Sequence, residues 1–303
     1  MVCLKCLRKD LSSSESHYGL HKQCFLEWFK IGNVVEFKDL SRKDIDSGVE
    51  NTRFSNINSS FYQGMFRKYS AYLAGVEYIL KLGEEDYPEL PGTEFLCNQI
   101  AEELGINVPS YFLIDFFDQK TFASRVFINK HKKMILHHIY HYLREEDDFS
   151  VQSLIRIIEE HTGRLSEVEK FIDITLFDAL IGNHDRHGRN LAFLEEKGKL
   201  ILSPCYDNPS YIGIESDFLL GAHHSPRGKI ATTTTDEPTM KDYAQEFLDM
   251  GFEEAVHDFF KRVNIDNIKQ LVAKGLVSEA RKAALMRIIL ARLEELRYAC
   301  GLP

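Results

Sequence analysis

The segment NHDRHGRN at residues 183–190 constrains the fold of this 303-residue chain more than any other feature. It directly follows residues 167–182, which are apolar around most of a helical circumference and therefore predict a buried helix. Two strand-like pieces around a polar turn then lead to Asp207, and a hairpin of this length would bring it back beside Asn190. The pattern predicts a rigid helix that delivers a polar loop, and a hairpin that returns a second carboxylate to that loop.

Two carboxylates and an amide in this order fit phosphoryl transfer. Such chemistry needs an Asp that orients and deprotonates the accepting hydroxyl group, and oxygen ligands that hold Mg²⁺ against the phosphates. We assign Asp185 the first role, and Asn190 and Asp207 the second. His187 is expected to brace the loop by hydrogen bonding rather than to carry protons.

A lysine within a predicted apolar strand, Lys81, points to the phosphates as well. Strands are predicted at residues 69–73 and 78–82, after a polar stretch that resembles a hairpin loop. Most lysines in such strands extend their ammonium groups to solvent, but this position is also where a kinase holds the lysine that grips the α- and β-phosphates. Glu94 opens a predicted helix. It either complements the positive helix end or forms an ion pair with Lys81.

Two further strands are predicted at residues 111–117 and 121–128, and they would complete a small sheet-rich lobe. We expect the second of them to be an edge strand. Its end, Val126, Phe127 and Ile128, would then supply the backbone that pairs with adenine.

The pattern from residue 131 onward predicts helices. His137, His138 and His141 include a pair four residues apart that could bind a metal on one helix face. No carboxylate completes a site there, so we interpret them as surface histidines.

The charge and the absence of targeting signals exclude several classes of protein. With 37 basic and 46 acidic residues, the net charge is −9, which disfavours direct nucleic-acid binding. The chain has no apolar run of 18 residues and no signal-peptide pattern, so we expect no membrane span and a cytoplasmic location. Six cysteines in so long a chain do not form a disulfide framework, which fits a reducing compartment.

The N-terminal segment holds two pairs of potential metal ligands, Cys3 with Cys6 and His21 with Cys24. Each pair is compact enough to present two ligands from one turn, and together they would form the three-cysteine, one-histidine set of a structural Zn²⁺ site. The alternative is that these are ordinary residues near a terminus. From the sequence alone we favour that alternative over bound zinc.

At these residues the chain resembles the HipA-like serine/threonine kinases of bacterial toxin–antitoxin systems. The resemblance runs from about residue 51 to the C-terminus, and LIGNHDRHGRN at residues 180–190 is similar to the family's catalytic loop. Further similarities lie at Asp207, which looks like the magnesium-binding Asp, at Lys81, and at the helix that opens with Glu94. The resemblance implies an α+β, bilobal, protein-kinase-like fold with a small β-rich N-lobe and a larger, mostly helical C-lobe, and it implies ATP and Mg²⁺ as cofactors.

The N-terminal part departs from full-length HipA, because only about 50 residues precede the resemblance. The chain is therefore more similar to the shortened HipT toxin kinases of three-gene HipBST systems. We predict an N-terminal segment at residues 1–50, a nucleotide-binding lobe at 51–128 and a helical C-lobe at 129–303. This likeness implies a small antitoxin protein and a DNA-binding partner from the same operon, in the bacterial cytoplasm.

The family's autophosphorylated phosphate-loop serines correspond to the region of Ser55, Ser59 and Ser60. The resemblance implies that one of them is phosphorylated, and roughly −2 of added charge beside the triphosphate would switch the kinase off. It also implies a protein substrate with a serine or threonine acceptor, such as an aminoacyl-tRNA synthetase.

Three alternatives remain open at this level. The chain could be an exported HipA-like effector kinase that acts on a host protein or lipid. It could be a metal-dependent hydrolase that uses His184, Asp185 and His187 as ligands, although this leaves Lys81 and Asp207 unexplained. It could also be a catalytically dead, kinase-shaped binding module.

Overall fold

The computed structural model describes residues 1–43, 68–129, 132–221 and 225–301. The chain divides into two compact units. The first unit comprises Met1–Phe95 and Pro109–Phe127, and the second comprises Leu96–Val108 and Ile128–Pro303. The first is β-rich and the second mostly helical, which confirms the predicted α+β fold class. The boundaries predicted at residues 50 and 128 remain predictions.

The first unit begins with a small N-terminal segment and continues into a five-stranded antiparallel sheet. Its early elements are β1 (Ser16–His17), β2 (Leu20–His21) and α1 (Lys22–Phe29). The sheet strands are β3 (Lys38–Lys43), β4 (Lys68–Leu73), β5 (Val76–Leu82), β6 (Tyr111–Phe116) and β7 (Gln119–Arg125), in the order β3-β4-β5-β7-β6. The register places Lys81 of β5 opposite Phe122 of β7. Helix α2 (Leu90–Glu103) runs from the first unit into the second.

The prediction that the strand before Val126 is an edge strand was wrong. Strand β7 ends at Arg125 and pairs with β5 on one side and β6 on the other. The reason is the tight β6–β7 connection, where Phe117 and Asp118 both adopt positive φ, at 51° and 58°. A two-residue turn of this kind matches the twist of paired strands, so β6 folds back onto the free side of β7.

The second unit packs helices around a buried central helix. Its elements are β8 (Ile135–His138), α3 (Val151–Thr162), α4 (Leu165–Ile181), β9 (Ala192–Glu196), β10 (Lys199–Leu202), α5 (Asp217–Gly221), α6 (Met240–Asp249), α7 (Glu253–Arg262), α8 (Ile265–Lys274) and α9 (Glu279–Ala299). The apolar circumference predicted for α4 is buried as expected, because α3, α6, α7 and α9 all pack against it. None of the helices in the described ranges is both long and apolar enough to cross a bilayer.

The helical prediction for residues 131 onward was wrong where β8 forms. This strand pairs antiparallel with β9, and Leu136 and His138 are buried whereas Ile135 is exposed. Alternating burial is the strand period rather than the helix period. His137 lies on this strand and His141 in the 3-10 turn after it, so the helix face proposed for this pair does not exist. The interpretation of His138 as a surface histidine was wrong, because the residue is buried.

Candidate active site

A glycine cap fixes the point at which the polar loop leaves helix α4. Gly182 caps the helix with φ 69° and ψ 37°, a left-handed conformation that favours glycine. A Cβ atom there would lie 2.8 Å from Cδ1 of Tyr211 and 2.9 Å from Cγ of Pro226. Both the conformation and the close packing therefore require glycine at this position.

Inside the loop, side-chain amides hold the backbone around Asp185. The amide group of Asn183 donates from Nδ2 to Oδ1 of Asp178 at 2.8 Å, and its Oδ1 accepts from the backbone N–H of Asp185 at 3.0 Å. Asn190 donates from Nδ2 to the carbonyl oxygen of Asp185 at 2.9 Å. These bonds occupy the Asn190 amide nitrogen, which leaves its amide oxygen as the group that can bind a cation.

Asp185 and His187 lie on the outer side of this loop. The Asp185 side chain is 61% exposed, and one carboxylate oxygen is 3.9 Å from Nε2 of His187. The other ring nitrogen of His187 accepts from the backbone N–H of Arg189 at 3.2 Å. An exposed carboxylate on a braced loop can reach the hydroxyl group of a substrate, and a histidine anchored to the backbone suits the bracing role.

Arg186 is the residue that organises the site, and it is almost completely buried. Its guanidinium donates to both carboxylate oxygens of Asp178, at 2.7 and 2.9 Å. It also donates to the carbonyl oxygens of Asn190 and Tyr206, at 3.0 and 2.6 Å, and to Oδ1 of Asn208 at 2.7 Å. One side chain therefore ties helix α4 to the two segments that carry Asn190 and Asp207.

The electrostatics of this cluster favour a permanently charged Arg186. Burial is the largest single influence on the pKa of Arg186 and lowers it, but the neighbouring acidic groups, Asp178 first, together raise it more, so the net pKa lies above its usual value. Burial also raises the pKa of the neighbouring Cys205 thiol to about 12, so the thiol stays neutral. The buried positive charge is thus matched mainly by the carboxylate of Asp178, and Asp207 also contributes.

Asp207 lies between Tyr206 and Asn208, and Arg186 donates a hydrogen bond to each of these neighbours. Asp207 adopts φ 57°, an uncommon conformation that Asp tolerates better than most residues. The Asn208 side chain also donates from Nδ2 to Oδ1 of Asn98 at 3.2 Å and to the carbonyl of Cys205. These bonds hold the residues on both sides of Asp207 in place.

In the first unit, Lys81 and Glu94 form the ion pair that the sequence offered as one of two alternatives. Nζ of Lys81 lies 2.5 Å from Oε1 of Glu94, and both residues are buried, at 6% and 2% exposure. Nζ also lies 5.7 Å from the centre of the Phe122 ring. A lysine so deeply enclosed does not extend its ammonium group to solvent, so that interpretation of Lys81 was wrong.

The remaining predicted residues fall into three groups. Val126 donates its N–H to the Glu77 carbonyl at 3.0 Å, and the boundary between the two units falls between Phe127 and Ile128. The adenine-binding role of these three residues stays a prediction. Ser55, Ser59 and Ser60 lie outside the described residues. The ligand atoms of Cys3, Cys6, His21 and Cys24 all lie within 4.8 Å of one another.

Two residues of the site escaped the sequence reasoning, Asp178 and Arg186. The available signal was Asp178, the single charged residue within residues 174–182, because a buried acid needs a partner. Within the described residues, His184, Asp185 and His187 do not gather their ligand atoms into a metal site, which weakens the hydrolase alternative.

A buried Lys–Glu pair in a β-rich unit, and an Asp-bearing loop with an Asn and a second Asp in a helical unit, define the kinase-like class of fold. Residues 60–277 match the family model described as HipA-like C-terminal domain. The chain therefore belongs to the HipA-like family.

Similar proteins agree with this assignment. A putative kinase of Haemophilus influenzae is 26% identical over 150 residues, which are 43% of this chain and 44% of the relative. The proinflammatory kinase CtkA of Helicobacter pylori superposes with a TM-score of 0.66 at 17% identity, over 78% of this chain and 91% of that chain. HipA of Shewanella oneidensis MR-1, solved with HipB and operator DNA, superposes with a TM-score of 0.56 at 16% identity, over 86% and 67% of the two chains. The match spans less than half the length of the curated relative.

Proposed function

We propose that this protein is an ATP- and Mg²⁺-dependent kinase that phosphorylates a serine or threonine of a protein. The observation that carries the proposal is the buried ion pair between Lys81 and Glu94. A protein kinase uses such a pair to aim the lysine at the α- and β-phosphates of ATP. A metal-dependent hydrolase does not need an ammonium group enclosed in this way.

The residues of the second unit fit the rest of the reaction. The exposed carboxylate of Asp185 would accept the proton of the substrate hydroxyl group. The amide oxygen of Asn190 and the carboxylate of Asp207 are the hard oxygen ligands that Mg²⁺ prefers. Bound Mg²⁺ would draw charge off the γ-phosphoryl group during transfer. Arg186 keeps the Asn190 and Asp207 segments in register with each other.

The biological setting we propose is a HipT-like toxin of a HipBST system, with an antitoxin protein and a DNA-binding partner. In support, the Shewanella HipA was solved together with HipB and operator DNA. The proposed target is a translation component such as an aminoacyl-tRNA synthetase, and the proposed control is autophosphorylation at Ser55, Ser59 or Ser60. The proposed location of the toxin and its partners is the bacterial cytoplasm.

One observation supports a second biological setting, that of an exported effector kinase. The superposition covers 91% of the Helicobacter kinase but only 67% of the Shewanella HipA chain. The superposition therefore accounts for more of a protein described as a proinflammatory kinase than of the HipA chain. An effector kinase that acts on a host protein or lipid would share the same active-site residues, and only the target would differ.

The test is transfer of label from γ-labelled ATP to proteins of a bacterial lysate and, separately, of a host-cell lysate. Native protein is compared with Asp207→Ala, and with Asp236→Ala, an exposed acidic residue far along the chain from the site. We expect a labelled band with the native chain and with Asp236→Ala, absent with Asp207→Ala, and phosphoserine or phosphothreonine in the digested band. The lysate that contains the band identifies the setting.

Other results would contradict the proposal. A hydrolase would release inorganic phosphate from a small ester without labelling any protein. A dead module would show an ATP-dependent rise in melting temperature with no transfer at all. Equal labelling by the native chain and Asp207→Ala would remove Asp207 from the mechanism.

A further inference from the structure

We propose that Cys3, Cys6, His21 and Cys24 bind one structural Zn²⁺ ion, which fastens residues 1–37 onto the five-stranded sheet. From the sequence alone we favoured ordinary residues over bound zinc, whereas the positions of the four side chains favour the zinc site. The four ligand atoms come from both ends of a 22-residue stretch and yet lie within 4.8 Å of one another. In the described part of the chain, no other group of three or more His, Cys, Asp or Glu side chains gathers in this way.

The distances within the cluster are those of a tetrahedral zinc site. Nδ1 of His21 lies 3.5 Å from Sγ of Cys6 and 3.8 Å from Sγ of Cys24. Zinc bonds of about 2.3 Å to sulfur and about 2.0 Å to nitrogen, at a tetrahedral angle, put those atoms roughly 3.6 Å apart. A neutral imidazole nitrogen has a single lone pair, so two simultaneous thiol hydrogen bonds explain the arrangement less well.

The far side of the His21 ring supplies an independent observation. Nε2 of His21 lies 3.1 Å from Oδ1 of Asp10. A histidine that binds a metal usually donates its other ring N–H to a carboxylate, which fixes the tautomer and the ring orientation. Here that bond leaves the lone pair on Nδ1, the nitrogen that faces the cysteines.

The N-cap residue of helix α1 does not use its side chain to cap the helix. His21 occupies the N-cap of α1, and its side chain makes no capping hydrogen bond. Ser, Thr, Asp or Asn would be the favourable choice at this position. The side chain of His21 instead turns to Cys24, which lies in the first turn of the same helix.

The backbone around the first two cysteines forms a tight turn. Leu7 donates its N–H to the Cys3 carbonyl at 2.9 Å, Cys3 donates to the Arg8 carbonyl at 3.0 Å, and Leu7 takes φ 60°. The β1–β2 hairpin and α1 then follow. The four ligands thus come from a turn before the hairpin and from the N-cap and first turn of the helix after it.

The segment has little secondary structure of its own, which gives the metal its role. Its two strands have two residues each and its helix has eight, too few to bury a core of their own. Its aromatic side chains pack outward onto the sheet: the rings of Phe29 and Phe112 stack at 4.2 Å, and those of Tyr18 and Phe116 at 5.7 Å. The Tyr18 carbonyl also accepts the N–H of Asp115 in β6. A closed four-ligand site would keep these rings in place without catalysing anything.

The first measurement is the metal content of the full chain, purified under reducing conditions without chelators. We expect one zinc per chain. Replacing zinc with Co²⁺ should give the visible d–d bands and the sulfur-to-cobalt charge-transfer band of a tetrahedral thiolate site. Cys6→Ser should lose the metal and remain folded by circular dichroism, because Cys6 is exposed. Cys300→Ser, at a free cysteine outside the cluster, should keep it.

Two further variants separate a metal site from a merely structural cluster. Asp10→Asn should weaken zinc binding by about 10- to 100-fold while saturating zinc still fills one site. His21→Cys should retain the Co²⁺ site and intensify its charge-transfer band, since a fourth sulfur replaces nitrogen. Removal of zinc should speed hydrogen exchange at amides of α1 and β6.

The proposal would be overturned by folded native protein that holds neither zinc nor the Co²⁺ spectrum after metal supplementation. Retention of the full Co²⁺ spectrum by Cys6→Ser, or a disulfide among the three cysteines in the reduced preparation, would overturn it equally.

Discussion

At the scale of single residues, Arg186 takes no direct part in the proposed reaction, but it organises the site through its hydrogen bonds. It neutralises the buried Asp178 and holds the carbonyls of Asn190 and Tyr206. Arg186→Leu should lower the free energy of unfolding by about 3–5 kcal/mol, because it leaves a buried carboxylate unpaired. The double variant Arg186→Leu with Asp178→Leu should cost less than the sum of the single variants in urea unfolding. Strict additivity would show that the two side chains do not act as a pair.

His138 makes a second prediction at this scale. It is buried on β8 beside the Tyr206 hydroxyl, and burial lowers its pKa to about 4 from the usual 6.5. Between these values the unfolded chain binds more protons than the folded one, so stability should fall as the pH drops from 6.5 towards 4. The loss should reach roughly 1–2 kcal/mol by pH 5. His138→Gln should flatten this part of the stability–pH curve, and an unchanged slope would assign the effect to other groups.

At the scale of elements, two helix ends provide a matched comparison. Gly163 caps α3 and Gly182 caps α4, both with positive φ, but a Cβ atom has open space only at Gly163. Gly163→Ala should cost about 1 kcal/mol from backbone conformation alone. Gly182→Ala should cost about 1–3 kcal/mol more, because Tyr211 and Pro226 must move, and it should also reduce phosphate transfer. Equal costs in urea unfolding would mean that the packing at Gly182 is not restrictive.

The elements also show what the sequence could and could not predict. The β4–β5 hairpin, α4 and the β9–β10 hairpin follow from apolar patterns and turn residues, and they lie where expected. Strand β8 was mistaken for helix, since four residues that include two histidines carry too little periodicity. The Asp178–Arg186 pair and the convergence of Cys3 with His21 depend on side chains meeting after the chain has folded. The sequence offers the two ligand pairs and the isolated Asp178 as signals, but it does not show which side chains will meet.

At the scale of the whole molecule, membership of the HipA-like family and the α+β fold agree with the resemblance seen in the sequence. The proposed chemistry then rests on the role given to Asp185, because the other residues assigned in the second unit are proposed to bind or position. The exposure of this carboxylate and the hydrogen bonds that support its backbone suit a general base.

The most direct test compares the rate of γ-phosphate transfer by the native chain and by Asp185→Asn, with nucleotide affinity measured in parallel. The account predicts a transfer rate lower by on the order of 10²- to 10⁴-fold in the variant, with ATP binding retained. Phosphate transfer by Asp185→Asn at nearly the native rate would contradict it.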